Sequence, residues 1–141
     1  MGKYGKNKRN VRLKKKWLKR RRKEVKNTID YMLAEADVSG LIPWAPVKIE
    51  YDKLDQYRGT AELKIDSDGK EYFLITLEID LLDGSAHGEN LACLIFCHEL
   101  AHVLTWHPNK KTERGLAKYH GIHGPDFMYM QGTLLNILIE P

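Results

Sequence analysis

Two histidines four residues apart, His98 and His102, enclose a glutamate in the stretch His98-Glu99-Leu100-Ala101-His102. On a helix, residues at i and i+4 share one face, with Cβ atoms about 5–6 Å apart. That spacing lets both imidazoles bind one tetrahedral zinc through ring nitrogens. Glu99 would then stand beside the metal, where a carboxylate can take a proton from the water the metal activates. The expected chemistry is peptide-bond hydrolysis with one catalytic Zn2+.

Two imidazoles leave such a centre one protein ligand short, because the fourth position belongs to water. His107, Glu113, His120, His123 and Asp126 follow His102 and are the candidates. His107 is only five residues on, and Glu113 lacks a helical pattern to hold it. His120 and His123 sit in His120-Gly121-Ile122-His123-Gly124, just ahead of a helix start marked by Pro125. Either could be presented to the first pair. His87 and His107 read as surface or satisfied core histidines with no metal role. For the oxyanion, Tyr119, His120 and Tyr129 are near in sequence to the third ligand, and nothing selects among them.

The two motifs together, His98-Glu99-Leu100-Ala101-His102 and His123-Gly124-Pro125-Asp126-Phe127, resemble those of the SprT-like metallopeptidases, which include the Spartan proteases. The resemblance implies a compact zincin-like α+β domain of the minigluzincin type. It also implies His98, His102 and His123 as zinc ligands and Glu99 as catalytic acid/base. The layout is similar over roughly residues 28–140, whereas specific residues match only in the two motifs. Asp126 stands where the family pattern has glutamate, and Cys97 is an uncommon neighbour for the first histidine.

The elements that must position these groups follow from periodicity. From about Val11 to Val38, Leu18, Val25, Ile29, Met32, Leu33 and Ala36 make one apolar stripe, with Gly40 placed to end the helix. Residues 1–10 lack periodicity and read as a mobile tail. Val47–Tyr51, Thr60–Asp66 and Tyr72–Leu81 alternate as strands, the last two joined by an Asp68-Gly69 turn, and together suggest a small antiparallel sheet. A second helix should begin between Ser85 and Asn90, carry the histidines and stop near Trp106, before Pro108. A last helix starts at Pro125. Cys93 and Cys97, the only cysteines, read as reduced core thiols on the buried side of the second helix.

At 141 residues and 43% hydrophobic, the chain has the size and composition of one globular domain. No apolar run approaches the roughly 20 residues that span a bilayer. The basic N-terminus lacks an apolar h-region, so a secretory signal is not expected. The expected location is the cytoplasm, or the nucleus in a nucleated host.

The net charge of +4 hides an asymmetry: residues 1–27 carry 14 Lys/Arg and one acid, residues 28–141 carry 9 and 18. The expected organisation is a basic N-terminal arm (1–27) on an acidic metallopeptidase domain (28–141). Lys14, Lys15, Lys16, Trp17, Lys19, Arg20, Arg21, Arg22 and Lys23 are too dense in one sign for a neutral face, since like charges at i, i+4 repel. Nucleic-acid phosphates, anionic lipid or the chain's own acidic domain would relieve them, and Trp17 could stack on a base. The expected function is a zinc metalloendopeptidase acting on nucleic-acid-associated protein. The rival from another class is a non-catalytic nucleic-acid-binding protein with a structural zinc.

Overall fold

The apolar stripe of the first third folds into one long helix, α1 (Gly2–Val38), in a computed structural model that describes residues 2–108 and 124–139. Val25, Ile29, Met32 and Ala36 are buried along it, as their spacing predicts. The helix starts at Gly2 rather than near Val11, so the expected loose tail is helical backbone from its second residue. At 1.5 Å per residue, α1 is about 55 Å long and carries the 27/28 boundary within it. Its end is closed by the Schellman pattern, with Leu41 N–H donating to Ala36 C=O and Gly40 N–H to Asp37 C=O. Gly40 takes the left-handed φ of +86° that this cap requires.

Three strands follow, β1 (Val47–Asp52), β2 (Gly59–Ile65) and β3 (Glu71–Glu78), in the spatial order β1-β3-β2. The sheet is mixed, which corrects the antiparallel expectation: β2 pairs antiparallel with β3, but β1 runs parallel to it. Residues 53–58 cross the end of the sheet and leave the central place for β3. Alternation shows which residues share a face but carries no information about strand direction. The β2–β3 hairpin turns at Ser67–Lys70 as predicted, with Asp66 accepting from the N–H groups of Asp68 and Lys70 at 2.9 Å. β3 ends at Glu78, and Ile79–Leu81 is a single 3₁₀ turn rather than more strand.

Register sets the core. Val47, Ile49 and Tyr51 of β1 lie beside Phe73, Ile75 and Leu77 of β3, which lie beside Leu63, Ala61 and Gly59 of β2. This face is covered by α2 (Ala86–Leu104), which packs on β2 and β3, while α3 (Pro125–Leu138) packs on α2 and α1 lies against both helices. Phe96, Leu100 and Val103 of α2 and Leu134 of α3 are fully buried. At the far end of α2, Trp44 and Trp106 pack edge-on to Phe73 with centroids 4.9 and 5.5 Å away. Trp44 Nε1–H also donates to the carbonyl of Trp106 at 2.9 Å. Among the described residues no helix is long and apolar enough to cross a membrane.

Candidate active site

The helix that carries the first motif is fixed at its start by a local network. Ser85 is its N-cap, its Oγ accepting from Gly88 N–H at 2.9 Å while Asp83 accepts from both the N–H and the hydroxyl of Ser85. Three turns on, His98 and His102 stand on one side with ring centroids 5.0 Å apart and planes at 77°. Two imidazoles on one tetrahedral zinc, at N–metal distances of about 2.1 Å, put their centroids about 5 Å apart. The separation of the pair is thus the one a shared ion would require.

Glu99, between them, is 2% exposed, and its Oε2 is withdrawn from solvent, as is His102 Nε2. Burial pushes the Glu99 carboxyl from 4.5 up to about 8. The cause of that burial includes a residue that sequence reading missed. Gly59, at the start of β2, lies so close to α2 that a Cβ there would meet Ile95 Cγ2 at 2.6 Å and Glu99 Cγ at 3.1 Å. Only a residue without a side chain lets the strand seat the glutamate this way. No local signal marks Gly59, because its neighbours lie more than 30 positions away.

The other end of the site comes from α3. Gly124 is its N-cap and Pro125 fills the first turn, as expected. Phe127, one turn in and buried, packs on both histidines, 5.0 Å from His98 and 4.3 Å from His102 between centroids. The described part of the second motif is thus brought onto the first. Glu113, Tyr119, His120 and His123 lie outside the described residues. Asp126, Tyr129, His87 and His107 are all exposed. Among the described residues, no three His, Cys, Asp or Glu side chains converge as a metal group.

His98 and Glu99 open onto a groove of about 400 Å³ whose walls include Tyr57, Arg58, Gly59 and Ile95. Tyr57 and Arg58 are further polar groups at the site that the sequence did not single out. Behind the motif, Cys97 and Ala101 are fully buried, and both cysteines are free. Burial raises both thiols, Cys97 up to about 12, so they stay protonated and unreactive.

The basic residues divide into two groups. On the inner face, the Trp17 ring lies against Gly84, Arg21 reaches Glu89 at 2.6 Å, and Arg22 Nε–H donates to Leu82 C=O at 2.9 Å. Lys14, Lys15, Lys16, Lys19, Arg20 and Lys23 are exposed. Compared with family models, curated proteins and solved structures, the chain matches none.

Proposed function

We propose that the protein is a zinc-dependent metalloendopeptidase of SprT-like type. The observation that carries this reading is the pair His98 and His102 at one-ion spacing, with the buried carboxyl of Glu99 between them and a groove in front. His98 and His102 would hold the zinc, with His123 as third ligand on the strength of the motif resemblance. The zinc, when bound, supplies a Lewis acid and makes water acidic enough to attack at neutral pH.

The residues of the chain do the rest. Glu99 takes the proton of the attacking water and hands it to the departing amine. Next to a divalent cation its carboxyl ionises far more readily than the value near 8 that burial alone imposes. Phe127 braces both imidazoles, and the groove wall at Tyr57–Gly59 receives the substrate chain. Among the described residues the outer edge of β2 pairs with no other strand, so an extended peptide can add there.

The test is Glu99→Gln. It should keep one zinc per chain and lose cleavage of an unfolded protein. A wild-type protein with full zinc that cleaves nothing, with and without DNA, would establish the rival non-catalytic binding function.

A nucleic-acid partner is favoured by one observation: Lys14, Lys15, Lys16, Lys19, Arg20 and Lys23 stay exposed while Trp17, Arg21 and Arg22 fasten α1 to the domain. Replacing Lys15, Lys19 and Lys23 with Gln should lower DNA affinity and flatten its salt dependence. Unchanged binding would remove this partner from the reading.

A further inference from the structure

We infer that two copies of this chain associate through the open edge of β1, in one defined register. Among the described residues the sheet has two edges that pair with no further strand, and β1 forms the one away from the groove. Among the devices that blunt exposed edges are a proline, a bulge and an inward-pointing charge. β1 has none of these: Val47–Asp52 contains no proline, pairs with β3 without a bulge, and directs its charges to the solvent face of the sheet.

The direction of its free backbone groups follows from the ladder. Phe73 N–H donates to Pro46 C=O at 2.8 Å, and partners alternate along a parallel pair. Lys48, Glu50 and Asp52 therefore spend their backbone groups on β3, while those of Val47, Ile49 and Tyr51 point outward.

A two-fold axis between the Ile49 residues of two copies pairs these outward groups antiparallel. Ile49 faces Ile49 and Val47 faces Tyr51, giving about two hydrogen bonds for each such pair. The same register sets Lys48 opposite Glu50 of the second copy, twice, on the solvent face, where Cα atoms come within about 4.5 Å. The strand is thus self-complementary in apolar residues, hydrogen bonds and charge. Slipping by one residue would set apolar against charged side chains and bring backbone groups already used by β3 to the joint. A groove of about 540 Å³ between α1 and the segment leading into β1 begins beside Val47 at the start of this strand.

Light scattering or sedimentation equilibrium on the full chain at about 100 µM reads this directly. The wild type should show twice the 16.3 kDa chain mass. Ile49→Pro removes an outward N–H and no bond to β3, so it should be monomeric with unchanged helix and strand content. Glu50→Lys sets lysine against Lys48 and should weaken the dimer about tenfold. Lys48→Glu combined with Glu50→Lys reverses both charges and should restore it. A monomeric wild type, a folded Ile49→Pro that stays dimeric, or a folded charge-reversed double variant no tighter than Glu50→Lys would each overturn the proposal. None of these readings depends on cleavage, so they stand apart from the peptidase proposal.

Discussion

Glu89 and Glu99 are the same residue type on the same helix, ten positions apart, and the protein treats them oppositely. Glu89 lies in the first turn of α2, partly exposed, and receives Arg21 at 2.6 Å. It serves as a fastening: its charge suits the helix N-terminus and holds α1 to the domain. Glu99 is sunk against Gly59 and Ile95, and burial raises its carboxyl to about 8. A carboxyl placed for stability commonly serves an ion pair near the surface, as Glu89 does with Arg21. One driven upward by burial beside two histidines is held ready for a proton. Environment, not residue type, separates the two glutamates here.

The widest gap between the two should appear in Gln variants. Glu99→Gln should lower cleavage by a factor on the order of 10²–10⁴ with zinc content intact, whereas Glu89→Gln should leave turnover near wild type. Equal losses would collapse the distinction. Gly59→Ala should come next: the new methyl presses on Ile95 and Glu99, costing about 1–3 kcal/mol of stability and reducing turnover on the order of tenfold or more. Shortening Ile95 to Ala in the same chain should recover part of both, and no recovery would mean that the contact with α2 is not the cause.

A third expectation concerns pH in the metal-free protein. A group whose pKa rises on folding contributes stability in full below its unfolded value and loses it as pH climbs through the folded value. Glu99 moves from 4.5 to about 8, so stability should decline across that window and Glu99→Gln should flatten the slope. Chemical denaturation at several pH values checks it. The smallest effect belongs to the fastening: Arg21→Ala should give a slight fall in melting temperature and no change in cleavage of an unfolded protein.

Much of this was legible in the chain. The His98–His102 face, the stripe of α1, the hairpin at Gly69 and the start of α3 at Pro125 all rest on local spacing, which the sequence displays directly. What was not legible is long-range. Nothing near Gly59 tells that α2 will pass within contact of it. Alternation in Val47–Tyr51 cannot say that β1 runs parallel to β3, nor could alternation through Ile79 and Leu81 show that the strand had already turned. The basic arm read as one patch because like charges adjacent in sequence look alike. Only docking separates Arg21 and Arg22, used inside the molecule, from Lys15 and Lys19, left outside.

The hydrogen bond from Trp44 to the carbonyl of Trp106 joins the loop ahead of β1 to the residue just beyond the C-cap of the helix that carries His102. These segments are 62 residues apart, yet neither can detach without exposing the aromatic stack on Phe73. They should therefore open as a unit, and amide hydrogens at the end of α2 and at the entry to β1 should exchange with solvent at a common rate.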